Sequence, residues 1–248
     1  MINNPANANI ILDIQAVESF YGELQVLRKI SIQLHAGEVV ALFGPNGHGK
    51  STLLKTIAGI HKAASGAMKF QAEDIIGAAS EKIVEMGIAY IPEARNIFSD
   101  MTVQENLRLG AFNRRARSQV KQNFEYVFTL FPRLEERKDQ IASTLSGGES
   151  RMLAIGRGLM CGASLLLIDE PSIGLSPLMK KSVFAAIEQI KMDGDRTILI
   201  VEQEVDYPLK MADRIYVLKN GRVIMEKTAD DISKAEIEKA YFHQNGRE

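Results

Sequence analysis

The sequence has one cysteine, no tryptophan and 6% aromatic residues, and no apolar run near the ~20 residues needed to span a bilayer. A lone cysteine, Cys161, excludes an internal disulfide and a cysteine-based metal cage, and fits a reducing compartment. Neither sign of charge is in excess: 30 Lys+Arg against 31 Asp+Glu leave a net −1. That balance excludes a nucleic-acid binder that works by bulk charge, and no nucleic-acid partner is expected. Residues 1–9 lack the basic and apolar segments of a secretory leader. The chain is expected to be soluble and to reach a membrane only through a partner. With 46% hydrophobic and 25% charged residues over 248 positions, it has the composition of a globular protein, one large domain or a domain carrying an insert.

Hydrophobic patterning predicts strands over 10–17 and 25–34, with a turn at Tyr21-Gly22, and a buried strand over 38–43. A helix is expected over 50–58, then short strands at 68–70 and 88–91. From about 94 to 160 the pattern is helical. Thr102-Val-Gln-Glu105 is a capping-box sequence, Ser118 is a second candidate N-cap, and Pro132 is expected to stop that helix. Strands return at 165–168 and 197–201 around a helix over 177–192. Strands at 214–218 and 222–225 flank Asn220-Gly221, a two-residue hairpin signal. Strands alternating with helices imply a mostly parallel sheet with a helical insert.

Three segments carry chemistry. Gly44-Pro45-Asn46-Gly47-His48-Gly49-Lys50-Ser51-Thr52 matches G-x-x-x-x-G-K-[ST] between a strand and a helix. Its glycines let backbone N–H groups turn around phosphate oxygens, Lys50 reaches the β- and γ-phosphates, and the Ser51 hydroxyl suits Mg²⁺. The apolar strand over 165–168 runs into Asp169 and Glu170. Asp169 suits the Mg²⁺ shell and Glu170 the alignment or deprotonation of an attacking water; a buried strand ending in solvated acids has the same sequence. Leu145-Ser146-Gly147-Gly148-Glu149 precedes a helix over 150–160. It reads either as a second anion-binding helix start or as a serine N-cap with flexible glycines.

With all three in this order, the chain resembles the ATP-binding cassette ATPases over essentially its whole length. The resemblance implies an α/β P-loop NTPase fold: a RecA-like core with an antiparallel β layer (1–92 and 161–248) and an inserted α-helical subdomain (93–160) carrying the Leu-Ser-Gly-Gly-Glu motif. It implies ATP and Mg²⁺ as ligands, with Ser51, Asp169 and Glu93 near the metal. It also implies a head-to-tail pair of cassettes, in which Ser146, Gly147, Gly148 and Glu149 face the ATP held by the other P-loop. Tyr21 stands where the family stacks an aromatic on adenine, with plain core as the alternative. Four histidines and one cysteine show no metal-ligand spacing.

The chain departs from the family at switch positions. Glu93 stands where most cassettes carry glutamine, Gln203 where most carry histidine, and Ser176 where an aspartate is usual. Glu93 adds negative charge near phosphate, and Gln203 can hydrogen-bond a phosphate oxygen but cannot carry a proton. A weakened site, a site tuned to a partner cassette, and drift all fit. Pro-Glu-x-Arg-x-Ile-Phe, Met-Thr-Val-x-Glu-Asn-Leu and Ile-Val-Glu-Gln look like the second ATP-binding subunit of branched-chain amino-acid importers. That branch implies a non-identical ATPase partner (a homodimer being the alternative), two permeases, a solute-binding protein, and a place on the inner face of the cell membrane. An ATPase of a lipid or lipopolysaccharide exporter and a cassette ATPase without a transport role are the other readings. Arg108, Arg114, Arg115 and Arg117 form a basic cluster that reads as a solvated face or as a contact to anionic lipid or an acidic permease loop.

Overall fold

Apolar residues give each of the first two strands one buried face, the alternation being interrupted where the pairing register shifts near Ala16 and Lys29: Leu12, Ile14 and Val17 on the first, and Leu27, Ile30, Ile32 and Leu34 on the second, are all within 2% of fully buried. The computed structural model describes residues 10–242, so the leader reading of residues 1–9 and the last six residues of the expected core lie outside the described residues. In chain order the elements are β1 (Ile10–Tyr21), β2 (Leu24–His35), β3 (Val39–Phe43), α1 (Lys50–Ile57), β4 (Ser65–Phe70), β5 (Glu73–Asp74), α2 (Ser80–Met86), β6 (Ile88–Ile91), α3 (Val103–Gly110), α4 (Arg114–Arg117), α5 (Val120–Leu130), α6 (Pro132–Glu136), α7 (Gly147–Leu159), β7 (Leu165–Asp169), α8 (Pro177–Met192), β8 (Thr197–Glu202), α9 (Asp206–Met211), β9 (Arg214–Lys219), β10 (Arg222–Thr228) and α10 (Lys234–Phe242).

They fall into two compact units. One joins the residues up to Ala78 to those from Thr197 onward; the other is Ala79–Arg196. In the first unit β1 pairs antiparallel with β2 and β4, and β4 with β5. β3 pairs parallel with both β8 and β9, and β9 antiparallel with β10. All five residues of β3 are fully buried, as a strand flanked on both sides and covered on both faces requires. Its valine, leucine and phenylalanine side chains each contribute about 1.5–3 kcal/mol of burial. Asn220 and Gly221 join β9 to β10 with φ of 49° and 73°, the left-handed pair that a two-residue type I′ hairpin demands.

In the second unit β6 pairs parallel with β7. Between residues 93 and 160 the elements are α3 to α7, a 3₁₀ turn at Ala142–Thr144 and one isolated bridge from Thr102 to Ile141. α3 and α7 meet backbone to backbone: a Cβ on Gly110 would lie 2.1 Å from the Arg157 carbonyl oxygen. The carbonyls at the end of α7 and just past it are satisfied by buried amides, Asn123 to Met160 O (3.0 Å) and Asn113 to Cys161 O (2.9 Å). Among the described residues no helix is long and apolar enough to cross a membrane.

The expected cap at Thr102 is there, with the Thr102 hydroxyl accepting from Glu105 N–H and Glu105 accepting from Thr102 N–H at 2.8 Å. Helix does not begin at 94, however: 94–102 is a loop, held by buried Asn106, whose amide donates to the Phe98 and Thr102 carbonyls (2.9 Å each) and accepts from Phe98 N–H. Ser118 is not a starting cap. It closes α4, which Asn113 opens, while Gln119 precedes α5. Pro132 does stop α5, and then serves as the first residue of α6, where its missing N–H costs nothing.

Candidate functional site

The P-loop follows directly from β3. Gly47 and Gly49 have φ of +78° and +104°, conformations that cost other residues about 1 kcal/mol or more. Gly49 is the N-cap of α1 and offers no capping side chain, so the first turn presents backbone N–H groups and the positive end of the helix dipole to the loop. Lys50 is 3% exposed. Its ammonium donates to Gly44 O (2.9 Å), Pro45 O (3.2 Å) and Asn46 Oδ1 (3.3 Å). A buried cation ringed by loop acceptors, next to a helix start, is a cradle for an anion.

Gly44 is fixed from outside the loop. A Cβ there would lie 2.3 Å from the Leu218 carbonyl oxygen, on a strand paired along both edges. G44A must therefore push the loop off β9. It is expected to weaken nucleotide binding at least tenfold and to lower stability by about 1–3 kcal/mol. Nucleotide titration and a thermal melt check this, and two unchanged values would mean that the loop relaxes at no cost.

In the first unit the parallel register sets Glu202 opposite Phe43. Gln203, exposed and one residue past β8, thus lies at the same carboxyl end of the strands as the P-loop, where open α/β sheets bind ligands. Tyr21 ends β1, is 48% exposed, and stacks on His61 with ring centroids 4.2 Å apart. It is a surface aromatic platform, not core.

The second unit gathers the remaining predicted residues. Asp169 closes β7 and is 1% exposed. Its Oδ2 accepts the Tyr90 hydroxyl at 2.9 Å, from the neighbouring β6. Glu170, 6% exposed, turns the chain with φ +43°, strain of the kind that concentrates at functional sites. Ile91 lies opposite Ile168, so the Pro92–Glu93 bend emerges beside the Asp169–Glu170 turn, and the Glu93 side chain is exposed there.

Ser146 is the N-cap of α7 in a full capping box: its hydroxyl accepts from Glu149 N–H, and Glu149 Oε2 accepts from Ser146 N–H at 2.9 Å. The N-cap and anion-site readings of this segment are therefore compatible. Burial pushes the Glu149 carboxyl up, but Ser146 and the Arg137 and Arg133 guanidiniums outweigh it and hold the group below the usual carboxylate range. Arg137 lies 3.0 Å away. Glu149 is thus turned back onto its own helix start, where its carboxylate accepts from Ser146 N–H. The Met179 side chain covers Gly148: a Cβ there would lie 2.1 Å from its Cε, so that flexible chain would have to move aside. Ser176, where an aspartate is usual, caps α8, accepting from Met179 N–H at 3.4 Å.

Sequence reasoning gave Arg151 no role. It is 1% exposed and its guanidinium donates to Pro92 O (2.9 Å) and Glu93 O (2.6 Å), tying α7 to the Glu93 bend. Only its seat two residues past Glu149 hints at this. Two of the four clustered arginines are likewise engaged: Arg115 donates to Met86 O and Arg117 to Phe112 O.

A phosphate cradle, an acidic strand end and a capped Leu-Ser-Gly-Gly-Glu helix together make a specific combination, and comparison with known proteins decides it. Residues 27–173 match the family described as ABC transporter. The chain belongs to the ABC transporter family. This cassette is 45% identical to the high-affinity branched-chain amino acid transport ATP-binding protein BraG of Pseudomonas aeruginosa, over 88% of the chain and 93% of that protein. It is 36% identical to the probable branched-chain amino acid transport ATP-binding protein LivF of Archaeoglobus fulgidus, over 87% of the chain and 91% of the relative. Among solved structures, the ADP conformation of MJ1267, an ATP-binding cassette of an ABC transporter, superposes with a TM-score of 0.80 at 29% identity, covering 95% of this chain and 99% of that one. The chain is thus the ATP-binding subunit of an ABC transporter, and an ATPase.

Proposed function

We propose that this cassette powers an importer of branched-chain or related amino acids. In this reading it pairs with a non-identical cassette and works on the inner face of the cell membrane through two permease subunits, fed by a solute-binding protein. The observation that carries this is the 45% identity to BraG along nearly the full length of both chains.

The P-loop amides and Lys50 bind and orient the phosphates, and Tyr21 offers an aromatic face for adenine. The donor set suits magnesium, a hard cation that takes hydroxyl and carboxylate oxygens; Ser51 and Asp169 are the donors the resemblance assigns to it, with Glu93 nearby. Among the described residues no three His, Cys, Asp or Glu form a group that could hold a metal ion. Bound magnesium supplies positive charge to the phosphate oxygens. Tyr90 holds Asp169 in place, Glu170 orients and deprotonates the attacking water, and Gln203 hydrogen-bonds a phosphate oxygen.

ATP binding closes the paired cassettes and hydrolysis reopens them, and the helical part, residues 93–160, passes that motion to the permeases. A cleft of about 430 Å³ lies between this part and residues 84–92, lined by Val84 and Tyr90 on one side and Phe98, Leu109, Phe112 and Arg157 on the other, with Phe98 51% and Phe112 76% exposed. An apolar patch of this kind marks a protein contact; a permease loop is its occupant here, and Arg151 links α7 to the Glu93 bend on the way.

Isolated from its own membranes in mild detergent, the chain is expected to bring a second cassette and two permeases, and its deletion to lower leucine uptake. Association with ribosomes or DNA-repair proteins, or with nothing, overturns the proposal. Because Glu93 and Gln203 replace the usual switch residues, the purified chain alone is expected to hydrolyse ATP at least tenfold more slowly than when mixed with the partner cassette. Full turnover from the chain alone would show that these two residues do not limit the site.

A further inference from the structure

The P-loop binds phosphate through its backbone, Lys50 and Ser51, which leaves the imidazole of His48 without a task. In the structure it faces the β9–β10 turn. His48 Nδ1 accepts the Asn220 N–H at 3.0 Å, and the His48 carbonyl accepts the Gly221 N–H at 3.1 Å. The left-handed backbone of both turn residues makes two successive amides available to one loop residue. The turn is braced from behind by Arg28 N–H, which donates to Gly221 O at 2.7 Å. A Cβ on Gly221 would lie 2.0 Å from Val26 O, and one on Gly49 would lie 3.3 Å from the same oxygen. One stretch of β2 therefore backs both the hairpin turn and the P-loop, and His48 bridges the two.

We propose that His48 is a positioning residue of the nucleotide site, its neutral imidazole locking the P-loop to the β9–β10 turn so that the loop amides stay arranged for phosphate. The inference rests on the P-loop being the nucleotide site. The donor at Asn220 is a backbone N–H, so Nδ1 must carry the lone pair and Nε2 the proton; an imidazolium has no acceptor to offer. Burial first, then the ammoniums of Lys50 and Lys219, hold the His48 pKa below its ordinary value, so the neutral ring is the form present at pH 7. Arg28 on β2 and Arg222 on β10 add further positive charge on the strands that meet at the turn. Any residue at position 48 can supply the carbonyl bond. Only a side chain with an acceptor attached at Cγ can supply the other, and asparagine Oδ1 sits where histidine Nδ1 does.

The test is a titration of full-length wild type, H48A and H48N with fluorescent ADP, beside hydrogen exchange of residues 219–222 with and without ADP. H48A is expected to bind about fivefold more weakly, the worth of one hydrogen bond, with H48N within twofold of wild type. ADP is expected to slow exchange at the turn in wild type and H48N but not in H48A, because coupling between two sites is reciprocal. If H48A does not fold, H48L keeps the bulk without the acceptor and gives the same comparison. Wild-type affinity in H48A, or equal losses in H48A and H48N, overturns the inference. A wild-type chain that binds no ADP overturns the nucleotide-site reading itself.

Discussion

Replacing Glu170 by glutamine is expected to lower ATP turnover by about 10²–10⁴-fold, the range of a general base, while ATP affinity stays within about twofold. The two side chains are nearly isosteric, so the buried turn at φ +43° keeps its shape, and the phosphate contacts proposed for the P-loop and Ser146 do not involve this side chain. What disappears is the carboxylate proposed to align and deprotonate water. ATP then persists, and the paired cassettes should accumulate in the ATP-bound, closed form, visible as an ATP-dependent dimer on size-exclusion chromatography. Unchanged turnover in E170Q removes Glu170 from this role. Turnover is read in the assembled transporter, and dimerisation with the two proposed cassettes mixed free of the permeases.

Lys50→Ala acts on the other half of the chemistry, and its loss should fall on binding. The ammonium is nearly fully buried and held by three loop acceptors, two of them carbonyls. Truncation removes the one cation the loop aims at phosphate and strands those acceptors in a place with little water. Charge-assisted hydrogen bonds contribute about 1.5–3 kcal/mol, so ATP affinity is expected to fall about 100-fold. Arginine should not rescue it, since a planar guanidinium does not fit a pocket that seats a compact ammonium. The apo melting temperature should change far less than affinity, because removing a buried charge also removes its desolvation cost. A nucleotide titration that finds K50A within threefold of wild type would exclude Lys50 as the main phosphate contact.

Much of this was legible in the chain because the signals are local. The P-loop is nine consecutive residues whose glycines are needed for the turn itself. Thr102 and Glu105, three apart, specify a capping box without outside help, and Asn220-Gly221 specifies a type I′ turn for the same reason. Misjudged details are places where two local signals compete. Ser118 is a good N-cap in isolation, but Asn113 caps first and makes Ser118 the end of a one-turn helix. Tyr21 could have been core or platform from sequence; the choice fell to His61, 40 positions on, which stacks against it and leaves the ring at the surface.

The sequence by itself determined the family, the motifs proposed to carry the chemistry and the order of the elements that bear them, because glycine conformation, capping and hydrophobic period are set within a few residues. Only the tertiary structure decided which groups hold those residues in place. Tyr90 steadies Asp169 from 79 positions away, Arg151 ties the Ser146 helix to Glu93 from 58, and the Asn220 amide reaches His48 from 172. Such partners are chosen by strand register and helix crossing, in which close approach at Gly44 or Gly110 sets the distances. No spacing along the chain encodes a contact that exists only once the strands have paired.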